Sequence, residues 1–224
     1  MEGIVAVLFS GGKDSTLALH KAFGQGLKPN LLITLNSEND YSFMFHKVNI
    51  DFTKLQAEAL GIRQMLVPTK GEKEQELEDL ERAIEESKAS TLITGALASE
   101  YQKSRIERIC SKLSVKHVAP LWHMDPRDEL AEIARDYYAI VTQVSAEGLD
   151  ESFLGSRIDE NMISRLEKAK AQYGIHLAFE GGEAESFVLD APLFRKMIEI
   201  KKARRSWDGK TGQYIIEEAV LKEK

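Results

Sequence analysis

Two rhythms of apolar and polar positions alternate along the first half of the chain. Short apolar runs at Ile4–Phe9 (IVAVLF), Asn30–Asn36 (NLLITLN), Arg63–Val67, Thr91–Thr94 and Val115–Ala119 have the length and branched content of buried strands. Between them lie longer segments in which apolar residues recur at helical spacing: Lys13–Gln25, Phe52–Leu60, Glu72–Ser87 and Ser99–Leu113. Gly26 and Gly61 are placed to end the first two helices, and Gly95 stops the fourth strand. Strands alternating with helices predict an α/β fold, a parallel sheet covered on both faces. Right-handed crossovers gather the loops that follow the strands at one edge, where ligands bind. The turn after Phe9, Asn36 at the end of strand two and Gly95 at the end of strand four all fall there.

Beyond Pro120 and Pro126 (APLWHMDP) the pattern changes. A helix is predicted at Arg127–Tyr137, a strand at Ala139–Val144, a helix at Ile158–Tyr173 closed by Gly174, and a short strand at Phe187–Leu189. Two long runs, Lys196–Ser206 and Gln213–Leu221, flank Trp207-Asp208-Gly209-Lys210-Thr211-Gly212 and read as a β-hairpin. The expected division is a main domain over residues 1–122 and a smaller α+β subdomain over 123–224 that cradles the ligand edge of the first.

Composition narrows the function. Apolar residues make up 43% and charged residues 29%, ordinary for a soluble globular chain. Thirty-six acidic against 30 basic residues give a net charge of -6, so direct nucleic-acid binding is not expected. The one cysteine, Cys110 in RIERICSKL, reads as a helix core residue. It excludes an internal disulfide and a cysteine metal cluster, and argues against sulfur transfer by a cysteine pair. Apolar runs such as Ile4–Phe9 fall far short of the ~20 residues that span a bilayer. MEGIVAVLF lacks a basic leader and a cleavage site, so the expectation is a cytoplasmic protein without a membrane partner.

The most informative string is Ser10-Gly11-Gly12-Lys13-Asp14-Ser15, SGGKDS, between the first strand and the first helix. Free N–H groups and the positive dipole end of a helix there favour an anion. The glycines permit close approach of phosphate oxygens, Lys13 adds a positive charge, and Ser10 and Ser15 add hydroxyls. It is not a Walker A loop, because Val7 stands where the first glycine belongs and Asp14 follows the lysine. It is not G-x-G-x-x-G, because Gly11 and Gly12 are adjacent. The plainer alternative is a strand–turn–helix junction that binds nothing.

A second string, FEGGEAESFVLDAPLF (Phe179–Phe194), sets Glu180, Glu183, Glu185 and Ser186 around Gly181 and Gly182. Clustered carboxylates raise one another's pKa unless a cation is present, so the string suggests a positively charged substrate group or magnesium. A solvated acidic turn is the alternative. In GALASEYQKSRIERICSKL (Gly95–Leu113), Ser99 and Gln102 form a possible capping box, and Lys103 and Arg105 are candidates to reach phosphate or protein substrate. The alternative there is a solvated helix face. His46 (YSFMFHKV), Trp122 and His123 read first as structural residues and second as a substrate gate. The basic run Arg195, Lys196, Lys201, Lys202, Arg204 and Arg205 reads as a solvated strand face, with docking of an acidic partner as the alternative.

SGGKDS resembles the pyrophosphate-binding loop of the N-type ATP pyrophosphatases, which split ATP between the α and β phosphates. SGGKDS, GALASEYQKSRIERIC, PLW, AEGLDESFLG and EGGEAESFVLD occur in order across nearly the whole chain, and together they resemble the diphthine–ammonia ligase family. The resemblance implies a Rossmann-like adenine nucleotide α-hydrolase fold. It implies ATP-dependent amidation of diphthine, a modified histidine on translation elongation factor two, with ammonium. Residues 1–122 would then bind nucleotide and 123–224 substrate. Ser10, Gly11, Gly12, Lys13, Asp14 and Ser15 carry over as pyrophosphate binders. Glu180, Gly181, Gly182, Glu183, Glu185 and Ser186 carry over as the signature loop. Asn36 and Gly95 are expected beside the nucleotide, Asp14 is the candidate for Mg2+, and one of Glu180, Glu183 or Glu185 is the candidate base. The acidic loop with Phe179 or Trp122 could instead take diphthine's trimethylammonium group. The extra carboxy-terminal domains of longer eukaryotic members have no counterpart in these residues. Two other readings stay open: an ATP pyrophosphatase with another acceptor, such as a small carboxylate or tRNA, and a nucleotide-binding sensor without turnover.

Overall fold

A computed structural model of the chain describes residues 3–37, 48–70 and 73–224, apart from the side chains of Lys73, Glu74 and Gln102. The chain forms two units. The first holds Met1–Ser10 and Asp14–His123, and the second holds Gly11–Lys13 and Met124–Lys224.

The first unit is a parallel five-stranded sheet. Its strands are β1 (Ile4–Leu8), β2 (Leu31–Ser37), β3 (Arg63–Thr69), β4 (Ala89–Ile93) and β5 (Lys116–Val118), in the order β3-β2-β1-β4-β5. Helices α1 (Lys13–Gly24), α2 (Thr53–Leu60), α3 (Lys73–Ser87) and α4 (Glu100–Lys112) supply the crossovers. Ala6, Leu31, Ile33 and Leu92 of the central strands pack with Leu80 and Ile84 of α3 and with Ile106 and Cys110 of α4. The α/β fold is as the pattern predicts. β3 runs two residues past Val67, through Pro68. A proline reads as a strand stop, but β3 is an edge strand, where a missing N–H is tolerated.

The second unit is an antiparallel sheet of β6 (Tyr138–Val144), β7 (Ala184–Asp190), β8 (Lys196–Trp207) and β9 (Gly212–Glu223), ordered β7-β6-β9-β8. Two helices, α5 (Pro126–Asp136) and α6 (Glu160–Tyr173), belong to it. Asp125 caps α5 by accepting from the Arg127 and Asp128 N–H groups, and Pro126 fits the first turn. The β8–β9 hairpin turns where Asp208 accepts from the Lys210 and Thr211 N–H groups, with Gly209 at φ 100. Those bonds hold the Asp208 carboxyl below its ordinary pKa. The basic run on β8 is laced with carboxylates: Lys202 lies 2.7 Å and Arg204 3.5 Å from Glu217, and Lys201 lies 2.7 Å from Glu199.

β7 corrects the sequence reading. It is seven residues long and starts at Ala184, so Glu185 and Ser186 are strand residues paired with Gln143 and Val141 of β6. Their polarity disguises the alternation, because the expected strand covers only Phe187–Leu189.

Candidate functional site

β1 delivers the chain into the glycine turn, and α1 begins immediately at Lys13. Gly11 sits at φ 78, a left-handed conformation that glycine adopts without strain. Its carbonyl accepts from the Val188 N–H at 3.0 Å. The Lys13 N–H, first in the helix, donates to Ser186 Oγ at 3.1 Å. Gly11 and Lys13 of the glycine turn are thus bonded to β7.

The Lys13 side chain is buried. Its ammonium donates to Glu129 Oε1 and to the Ala178 carbonyl, each at 2.9 Å. The side chains of Lys13 and Glu129 are 1% and 0% exposed. Nζ also lies 5.5 Å from the centre of the Phe179 ring. A buried ammonium needs a counter-charge, and Glu129 supplies it.

Residues 176–183 form a closed turn. The Phe179 N–H donates to the His176 carbonyl, and the Gly182 N–H donates to the Phe179 carbonyl. Glu183 clasps the turn: Oε1 accepts from the His176 N–H at 2.8 Å and Oε2 from the Gly181 N–H at 2.9 Å. Phe179 sits at φ 67, a conformation that residues with a Cβ rarely adopt. Glu180 lies in the turn and Glu185 on β7, both partly buried.

Within the first unit, Ser10 and Ser15 lie together. The Ser10 N–H donates to Ser15 Oγ, and the two hydroxyls are 3.3 Å apart. Gly95 packs against the same turn: a Cβ there would stand 2.7 Å from the Asp14 carbonyl carbon and 2.8 Å from the Ser15 nitrogen. Asn36 Nδ2 reaches Asp51 Oδ1 at 3.4 Å. Lys103 is drawn to Glu107 at 2.7 Å and lies 4.7 Å from the Trp122 ring centre, while the Arg105 guanidinium stacks 3.5 Å from the Tyr101 ring. The Trp122 and His123 rings are 4.7 Å apart. His117 bonds Thr94 Oγ1 at 2.9 Å, and burial holds its pKa below the ordinary value. Cys110 is buried, and desolvation pushes its thiol up to about 11. His46 and the side chain of Gln102 lie outside the described residues.

The residue that the sequence reading missed is Glu129. Its signal is a carboxylate beside Leu130 and one turn before Ile133, both fully buried. A charged residue on the apolar face of an amphipathic helix is a mark of pairing.

The family models agree with this arrangement of strings. The model for the diphthamide synthase N-terminal domain matches residues 3–117, and that for its C-terminal domain matches residues 125–222. The chain belongs to the diphthine–ammonia ligase family. The human diphthine–ammonia ligase is 32% identical over 218 residues, which cover 87% of this chain and 81% of that one. The bovine enzyme is 34% identical over 218 residues, with the same shares. A crystal structure described as a predicted subunit of tRNA methyltransferase from Methanocaldococcus jannaschii is similar at 17% identity and a TM-score of 0.47, over 85% of this chain and 98% of that one. Membership places this ligase among the ATP-dependent enzymes of diphthamide synthesis. No helix among its described residues is long and apolar enough to cross a membrane.

Proposed function

We propose that the chain amidates diphthine on elongation factor two with ammonium, through an acyl-adenylate, releasing AMP and pyrophosphate. One observation carries most of the reading. Two of the five strings that carry the resemblance, SGGKDS and EGGEAESFVLD, meet at Lys13, where Ser186 takes its backbone N–H and Ala178, just before the acidic string, takes its ammonium.

A carboxylate is a poor acylating agent, because its charge repels nucleophiles and oxide is a poor leaving group. In the first step the diphthine carboxylate oxygen attacks the α phosphorus of ATP, and the bond to pyrophosphate breaks. In the second, ammonia attacks the acyl carbon and AMP leaves with the bonding pair. Phosphoryl transfer of this kind needs positioning and charge neutralisation more than acid–base chemistry. Ser10, Gly11, Gly12 and Ser15 suit the pyrophosphate at the amino terminus of α1, where the helix dipole favours an anion, while Lys13, its charge balanced by Glu129, holds the turn. Ammonium must lose a proton before it attacks. Glu180 and Glu185 suit that task better than Glu183, whose oxygens both accept backbone N–H groups.

Among the described residues there is no group of three or more His, Cys, Asp and Glu side chains able to hold a metal. A single carboxylate, Asp14 in the first turn of α1, fits Mg2+ that arrives on nucleotide phosphates, because magnesium commonly keeps only one or two protein ligands. Mg2+ held there would neutralise phosphate charge.

The test is to supply purified protein with ATP, ammonium and diphthine-bearing elongation factor two. AMP and pyrophosphate in step with amide formation are expected, and only with the factor present. ADP and phosphate would refute the mechanism. Turnover with a small carboxylate or tRNA in place of the factor would favour the alternative acceptors.

A further inference from the structure

We infer that Glu129 is a positioning residue for the glycine turn: it fixes the Lys13 ammonium, and through Lys13 it fixes the 176–183 turn. The inference rests on the ligase reading given above, in which the glycine turn takes pyrophosphate.

Three observations carry it. Lys13 and Glu129 are almost wholly buried, 2.9 Å apart, so neither charge has bulk water to fall back on. Ala178 offers a carbonyl dipole to the same ammonium, and Glu129 brings a full negative charge to it. The residue after Ala178 is Phe179, in a left-handed conformation, so the carbonyl that Lys13 needs is presented by an unusual piece of backbone.

The start of α5 explains why a carboxylate survives there. Asp125 caps the helix, Pro126 opens it, and Glu129 lies in its first turn, where the positive dipole end favours an ionised acid. Leu130 and Ile133 hold that face of the helix against the core of the second unit. Glu129 therefore acts on the reaction through Lys13 rather than on the nucleotide.

Glu129→Gln keeps the shape and one acceptor oxygen but removes the charge. The buried ammonium then loses the negative charge 2.9 Å from it, and such a group releases its proton more readily. The expected result is a kcat for AMP formation lowered about tenfold or more, with the alkaline limb of the kcat–pH profile moved down by about one unit or more. A merely structural role would not move that limb. A Glu129→Gln enzyme with the wild-type kcat and pH profile overturns the inference.

Should the variant fail to fold, pulsed amine labelling of the wild-type protein decides instead. Lys13 is expected to label far more slowly than Lys202, which is 70% exposed. Equal labelling overturns the inference. Failure of the ligase reading is distinguishable: the wild-type protein would then form no AMP, and the labelling result would still stand.

Discussion

Gly95→Ala isolates a single contact. Gly95 follows β4 and has no positive φ, so alanine is conformationally acceptable and the cost is steric. The new Cβ would stand 2.7 Å from the Asp14 carbonyl carbon, 2.8 Å from the Ser15 nitrogen and 2.9 Å from the Asp14 oxygen. Comfortable separations are about 3.5–4.0 Å, so something must move by most of an ångström. All three atoms are backbone, and the strand end is pinned: the Thr94 N–H donates to the Val118 carbonyl, and Thr94 Oγ1 bonds His117. Overpacking of this kind costs about 1–3 kcal/mol. Melting should fall by about 3 °C for each kcal/mol. In a Trp207→Phe background the remaining tryptophan, Trp122, reports the first unit alone. Gly24→Ala is the control, because nothing lies within 4 Å of that Cβ at the end of α1. It should be neutral or more stable by up to about 1 kcal/mol. The Gly95→Ala enzyme should also lose turnover, since Asp14 and Ser15 are displaced. Melting that matches the control would refute the close approach and the role assigned to Gly95.

Three further outcomes are expected. Lys13→Ala removes the buried cation that lies 2.9 Å from Glu129, so AMP formation should fall at least about a hundredfold and stability by about 3–5 kcal/mol, read by turnover assay and denaturant titration. His117 is held below its ordinary 6.5 by burial, so the unfolded chain takes up a proton first on acidification. Stability of the first unit should therefore fall as pH drops below about 6.5, by no more than about 1.4 kcal/mol per unit, and His117→Gln should flatten that limb of a pH series of melts. Cys110, with its thiol raised to about 11, should resist thiol reagents at pH 8 until the protein is denatured, as a timed labelling assay would read.

The centre of the parallel sheet was legible because β1 (IVAVL) and most of β2 (LLITL) are runs of apolar and branched residues, as strands covered on both faces tend to be. β7 was half legible. Its first residues carry Glu185 and Ser186, whose partners on β6 lie more than 40 residues away, and no local pattern announces such a pairing. The glycine turn was found by wording, but the resting place of Lys13 was not, because Glu129 is 116 residues distant and looks like one more acid at the start of a helix. Asn36 and Gly95 were picked for their strand ends. One is tied to Asp51, and the other earns its place by lacking a side chain.

The placement of Gly11–Lys13 with the second unit has a consequence for how the protein is made. Lys13 and Ser186 are separated by 173 positions, and closing so long a span is slow as well as entropically costly. At about 5–20 residues per second, the strand that completes the turn leaves the ribosome roughly 9–35 s after it. A nascent chain in that interval carries SGGKDS without Ser186 and Val188, to which Lys13 and Gly11 are bonded. On the ligase reading proposed above, nucleotide turnover must therefore wait for β7, and a ribosome-stalled fragment ending before Ser186 should have none.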